Sequence, residues 1–167
     1  DEYPNRLRPE QIVGYMPDNE NFAYGADYLI RFYTDNPVSL LLLINPDNPS
    51  GNFISRSEVL ELASWCGSRG VRLLVDESFV DFTEEGASNS LLDNDILVSY
   101  PHMMVMKSIS KSYGVPGLRL GVFASSDSEL IGRIKKEVPI WNINSFAEYY
   151  MQIYGKYEND YHKACVK

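Results

Sequence analysis

Residues 37–78 read PVSLLLLINPDNPSGNFISRSEVLELASWCGSRGVRLLVDES. The stretch opens on a continuous apolar run, 37–45, of the length and character of a strand buried on both faces. A helix signal follows. Ser55 and Glu58 have the spacing of a capping box, and Gly70 stands where a helix would stop. Between them Val59, Leu62, Ala63 and Cys66 fall on one helical face. A second run of buried-strand type, VRLLVDES, begins at Val71. Strand, helix, strand with short joints is a βαβ unit, whose crossover is right-handed. That unit decides the fold class, because parallel neighbours need such a crossover.

Further elements extend the pattern in both directions. Residues 11–17, QIVGYMP, read as a short strand and residues 24–34 as a helix. Residues 95–101, 103–108 and 119–125 are further strand candidates. Ser126 with Glu129, and Ser145 with Glu148, repeat the capping-box spacing before helical runs. The expected architecture is therefore α/β, a three-layer α/β/α arrangement around a mostly parallel sheet. Residues 1–140 form the layered part, and 141–167 a long, tyrosine-rich amphipathic helix leading out of it. Tyrosines at helical spacing are read first as packing residues. The opening DEYPNRLRPE has no initiator methionine and the closing GKYENDYHKACVK no stop signal, so both ends read as cuts through a longer protein.

The bulk numbers narrow the function classes. The 167 residues carry a net charge of −8 and no basic stripe, which argues against nucleic acid as a partner. No apolar run reaches membrane-spanning length. Cys66 and Cys165 lie far apart in no metal or redox motif, as in a cytoplasmic protein. His102 and His162 lack a paired acid or ligand spacing and are read as structural. The acidic run DESFVDFTEEG, 76–86, lacks calcium-ligand spacing and reads as a solvated loop beyond Asp76, so no metal is expected.

Ligands of open α/β sheets sit beyond the carboxyl ends of the strands. Three ends carry chemistry. The first run enters PDNPSG, with Asn45 and Asn48; VRLLV ends at Asp76; MMVMK enters SISK, with Lys111. Each alone has an ordinary explanation as turn, loop acid or surface lysine. Their occurrence in this order, with Arg119 eight residues beyond Lys111, is what points to a site.

NPDNPSG, VDES and SISKSYGVPGLRLG together resemble the ordered signature of the class I/II, fold-type I, pyridoxal-phosphate-dependent aminotransferases. Within that class the likeness is greatest to histidinol-phosphate aminotransferase and threonine-phosphate decarboxylase, and it runs from the DEY opening to residue 148. The resemblance implies a cofactor, pyridoxal 5'-phosphate, bound covalently through Lys111. An amine with a lowered pKa condenses with carbonyls and, once released, carries a proton. It implies that Ser108 and Ser110 hydrogen-bond the cofactor phosphate and that Arg119 pairs with it as a planar fork. Gly114, Gly117 and Gly121 would let the backbone turn back so that Arg119 returns towards Lys111. Asp76 would face the pyridine nitrogen and keep it protonated, and Asn48 would donate to the phenolic oxygen. Lys111 and Asp76 are the catalytic candidates.

Phe79 departs from the pattern. Many aminotransferases of this class carry a tyrosine there whose hydroxyl also meets the phenolic oxygen, and the departure resembles the threonine-phosphate decarboxylase branch more. The resemblance further implies a small amino acid or amino-alcohol phosphate as substrate, amino transfer as the reaction, and a homodimer. The alternatives are decarboxylation of a phospho-amino acid on the same scaffold and a non-catalytic fragment without cofactor. The family's phosphate-cupping loop, its ring-stacking aromatic residue and its small C-terminal domain have no counterpart in these residues. The sequence therefore resembles the central part of the large, cofactor-binding domain.

Overall fold

The computed structural model describes residues 11–165. The opening DEYPNRLRPE and the last two positions of the expected tail helix lie outside the described residues. Four strands form one sheet in the order β1 (Leu40–Ile44), β2 (Arg72–Asp76), β3 (Met103–Ser108), β4 (Gly121–Ala124). The first three are parallel, with Leu42 beside Leu74 and Leu74 beside Met104. β4 is antiparallel to β3, with Val122 opposite Lys107. A mostly parallel α/β sheet is the expected class. Its parallel strands bring Ile44, Asp76 and Met106 side by side at one edge.

The βαβ unit forms as its sequence requires. Helix α2 (Arg56–Ser68) has a complete capping box: the Ser55 side chain accepts from the Glu58 N–H, and the Glu58 carboxylate accepts from the Ser55 N–H at 3.2 Å. Its buried face is Val59, Leu62, Ala63 and Cys66. That face packs on Leu41, Leu43, Leu73, Val75, Met103 and Val105 from alternate positions of three strands. Ala26 and Leu29 of α1 (Ala26–Asp35) complete the same core. β1 is not buried on both faces. Leu40 and Leu42 are 50% and 58% exposed, because only one face of β1 is packed and its residues alternate between core and solvent.

Other elements differ from their sequence reading. Residues 95–101 do not form a strand; Asn94–Ser99 is helix α3, with the Asp93 carboxylate accepting from the Asp95 and Ile96 N–H groups. A short apolar run does not by itself separate the two states, and the cap decides. Residues 11–17 form no strand; Tyr15 instead packs edge-on against Tyr24 and Phe32. The caps of α5 (Ser128–Glu137) and α6 (Ser145–Tyr154) are Asp127 and Asn144, one position beyond Ser126 and one before Ser145. Between α3 and α5 lies a four-residue helix, α4 (Ile109–Ser112). The tail is two helices, α6 and α7 (Glu158–Cys165), separated around Gly155.

Cys66 is fully buried, and burial pushes its thiol up to about 12. The thiolate is the reacting form. Iodoacetamide under native, mildly alkaline conditions is therefore expected to alkylate the partly exposed Cys165 and spare Cys66. Mass spectrometry of the peptides reads this out, and equal labelling would contradict the core packing.

Candidate functional site

The first strand end is held by Asn45. Its amide donates to the Ile54 carbonyl and accepts from the Ile54 N–H, both at 2.8 Å, which closes loop 45–54. Asn45 is buried in that task, and Asn48 stands exposed towards the tip. Both Asn–Pro bonds of the loop are cis.

Asp76 ends β2. Its Oδ1 accepts from the Ser78 N–H at 3.0 Å and from the Ser78 hydroxyl. The Ser78 oxygen in turn accepts from the Ser108 N–H at 2.9 Å. A short chain of hydrogen bonds thus ties the carboxylate to the end of β3, just before Lys111. Among the described residues Asp76 Oδ2 has no hydrogen-bond partner, and neither has the Ser108 hydroxyl.

Lys111 projects from α4. It is exposed, and its Nζ lies 5.4 Å from the centroid of the Phe79 ring, within cation–π range. Among the described residues that amine makes no hydrogen bond or ion pair. Phe79 and Asn48 line one cleft of about 600 Å³, with Phe53, Phe82 and Asp47.

The return of the chain from α4 to β4 rests on Ser110. Its buried hydroxyl donates to the Leu120 carbonyl at 3.2 Å and accepts from the Leu120 N–H at 2.8 Å. That commits Ser110 to the backbone, whereas Ser108 keeps a free hydroxyl. Gly121 then lies so near β3 that a Cβ would meet the Lys107 carbonyl at 3.2 Å. Arg119 itself is exposed, with left-handed backbone (φ 53°). Its guanidinium donates weakly to the Pro116 carbonyl at 3.4 Å, and no hydrogen bond joins it to Ser108 or Lys111.

The acidic run is solvated only in part: Glu84 and Glu85 are exposed, as expected, but two other acids are not. Glu77 is 1% and Asp81 3% exposed. The Glu77 carboxylate accepts from the Ser90 hydroxyl and from the Leu91 N–H at 2.8 Å, closing loop 77–91 at its base. Burial pushes the Glu77 carboxyl up, and the Lys107 charge opposes that. Lys107 forms a 2.8 Å ion pair with Asp81 Oδ1, and the Tyr161 hydroxyl donates to Oδ2 at 2.9 Å. Sequence reasoning passed over Lys107, Asp81 and Tyr161. The only hint was a lysine inside an otherwise apolar strand.

The donor set matches a pyridoxal-phosphate molecule in kind: a carboxylate with one free oxygen, an unpaired amine, a free hydroxyl, an exposed guanidinium and an exposed amide. The family model described as aminotransferase class I and II matches residues 6–152. A decarboxylase structure from Sulfurospirillum multivorans superposes with a TM-score of 0.79 at 30% identity, covering 98% of this chain and 47% of that one. Threonine-phosphate decarboxylase of Salmonella typhimurium is 36% identical over 66% of this chain and 29% of its own length. Histidinol-phosphate aminotransferase of Ruminiclostridium cellulolyticum is 26% identical over 90% of this chain and 40% of its own. The Sinorhizobium meliloti histidinol-phosphate aminotransferase, solved with pyridoxal-5'-phosphate, shares the fold with a TM-score of 0.70 at 20% identity, over 93% of this chain and 40% of that one. The chain thus spans less than half the length of each of these relatives.

Proposed function

This chain belongs to the class I and II aminotransferase family, and from that premise we propose that it carries the lysine-bearing part of a pyridoxal-phosphate site that breaks a bond at Cα of a small phosphorylated amino acid. The bound cofactor supplies a ring that takes up the electron pair left at Cα. Lys111 holds it covalently and afterwards delivers a proton from Nζ. The free Oδ2 of Asp76 holds a proton on the ring nitrogen, and Ser78 fixes the rotamer of that carboxylate. Asn48 donates its amide to the phenolic oxygen. The Ser108 hydroxyl and the Arg119 guanidinium take the phosphate.

Of the two outcomes at Cα, we favour loss of the carboxylate over the amino transfer expected from the sequence. The observation that carries this is Phe79 beside the Lys111 amine, where many aminotransferases of the class have tyrosine. Decarboxylation asks Lys111 for one protonation, whereas amino transfer asks it to remove a proton and return it elsewhere. The decarboxylase relatives support the same choice. The intact Lys111, Asp76, Asn48 and Arg119 serve amino transfer equally, and the histidinol-phosphate aminotransferase relative keeps it as the second reading.

The test is to load the purified protein with pyridoxal phosphate and supply carboxyl-labelled phosphoserine or phosphothreonine. Release of labelled carbon dioxide without any 2-oxo acid supports decarboxylation. Formation of a new amino acid, dependent on an added 2-oxo acid, selects amino transfer instead. Phe79→Tyr adds a hydroxyl donor that favours the charged phenolic oxygen, so it is expected to lower the pH midpoint of the loaded protein's absorbance change. An unchanged midpoint would remove Phe79 from the argument.

The same reading extends to the protein's surroundings. Ile140, Trp141 and Phe146 are 92%, 89% and 79% exposed, which fits a homodimer surface in the whole protein. No helix among the described residues is long and apolar enough to cross a membrane. Both cysteines are free thiols, which supports a reducing, cytoplasmic setting.

A further inference from the structure

We infer that Lys107, Asp81, Tyr161 and Tyr113 form a closed ring of contacts that positions Lys111, an inference that rests on the reading of Lys111 as the cofactor-holding lysine. The need for such a device follows from α4. It spans four residues, too few to hold their own conformation in water. Among the described residues, the Lys111 amine makes no hydrogen bond or ion pair and lies against the Phe79 ring. Something on either side must set where that amine stands.

The ring grips both flanks. Four residues before Lys111, Lys107 bonds Asp81 Oδ1 at 2.8 Å. The Tyr161 hydroxyl donates to Asp81 Oδ2 at 2.9 Å. The Tyr161 ring stacks on Tyr113 with centroids 4.1 Å apart and planes 17° apart. Tyr113, two residues after Lys111, lies with its ring 5.8 Å from Lys107 Nζ, which closes the circuit. Asp81 is also two residues beyond Phe79, so the same contacts set the ring against which the Lys111 amine rests. Burial pushes both the Tyr113 and the Tyr161 hydroxyls up; Tyr161 donates to Asp81, and the Tyr113 hydroxyl accepts from the Tyr154 hydroxyl at 3.2 Å.

A buried ion pair of this kind is a poor source of net stability, because well-packed apolar residues of similar volume often do as well. Its use here is geometric. With the Tyr161 hydroxyl it joins the end of β3, four residues before Lys111, to loop 77–91 and helix α7 at Asp81. Asp81 and Tyr161 are positioning residues, since neither touches the Lys111 amine.

The experiment compares Tyr161→Phe and Asp81→Asn with the unaltered chain. Tyr161→Phe keeps the stacked ring and deletes one hydrogen bond; should Asp81→Asn fail to fold, it decides alone. Two readouts are taken on folded protein. One is the rate of Lys111 acetylation by trace acetic anhydride, without cofactor, relative to the exposed Lys135 and Lys136. The other is the share of borohydride-fixed pyridoxal phosphate found on Lys111. Both ratios are expected to change several-fold while circular dichroism stays that of the unaltered chain. A folded Tyr161→Phe chain with both ratios unchanged overturns the inference. If the unaltered chain shows no preference of pyridoxal phosphate for Lys111, the reading of the site fails, and the acetylation ratio still decides whether the ring positions that amine.

Discussion

Replacing Lys111 by alanine is expected to remove the dominant borohydride-fixed pyridoxal-phosphate label from the chain, leaving background modification spread over other lysines. Six other lysines are present: Lys107, Lys135, Lys136, Lys156, Lys163 and Lys167. Lys107 is buried and paired with Asp81, so it is withheld from an aldehyde. Lys135, Lys136, Lys156 and Lys163 are exposed and remote in sequence from the strand ends that carry Asp76 and Ser108. Among the described residues only Lys111 combines an unpaired amine with that edge of the sheet. Lys111→Arg makes the sharper control, because it keeps the charge and loses the ability to condense with a carbonyl. Neither substitution should harm the fold. The side chain is exposed and has no hydrogen bond, so the stability change should stay within about 0.5 kcal/mol. Peptide mapping after reduction measures the label. A Lys111→Ala chain labelled as heavily and at one other lysine would show that the site lies elsewhere.

What made this site legible was its locality. Asp76, Ser108, Lys111 and the Asn48 loop each sit within a few residues of a strand end, and parallel pairing carries those ends to one edge. The helix α2 was legible for a similar reason, since its cap and its buried face are short-range patterns. The ring of Lys107, Asp81, Tyr161 and Tyr113 was not. Lys107 meets Asp81 across 26 positions and Tyr161 meets Asp81 across 80, and no spacing rule connects them. Burial turns Glu77 and Asp81 of the acidic run into structural residues, and burial is a property of the assembled loop. The tyrosine tail shows the same limit. Tyr150, Tyr154 and Tyr161 pack, as their spacing suggests, whereas Tyr149 and Tyr157 are exposed; and Tyr154 and Tyr161 pack on Tyr113 next to the candidate lysine, which the sequence does not say. At two helix starts the capping-box spacing pointed to Ser126 and Ser145, and the adjacent Asp127 and Asn144 cap the helices instead.

Lys107→Ala should be the most damaging single change away from the site itself, costing on the order of 3–5 kcal/mol. The reason is what it leaves behind. The Asp81 side chain is 2% exposed and would keep only the Tyr161 hydroxyl for compensation. Glu77 stands nearby, already pushed up by burial and held down in part by the charge of Lys107. Without that charge the Glu77 carboxyl rises further. A carboxyl raised in the folded state contributes stability that is complete below its unfolded pKa and is lost as pH rises through the folded value. The deficit of Lys107→Ala should therefore be larger at neutral pH than near the ordinary glutamate range, and shrink as the solution is acidified. Urea unfolding at several pH values, compared with the unaltered chain, reads both effects. Replacing both members together, Lys107→Met with Asp81→Leu, removes the stranded charge and should recover much of the loss. A double variant as unstable as Lys107→Ala would mean that shape, rather than an uncompensated carboxylate, sets the cost. A Lys107→Ala deficit independent of pH would mean that no stranded carboxylate, of Glu77 or of Asp81, sets the cost.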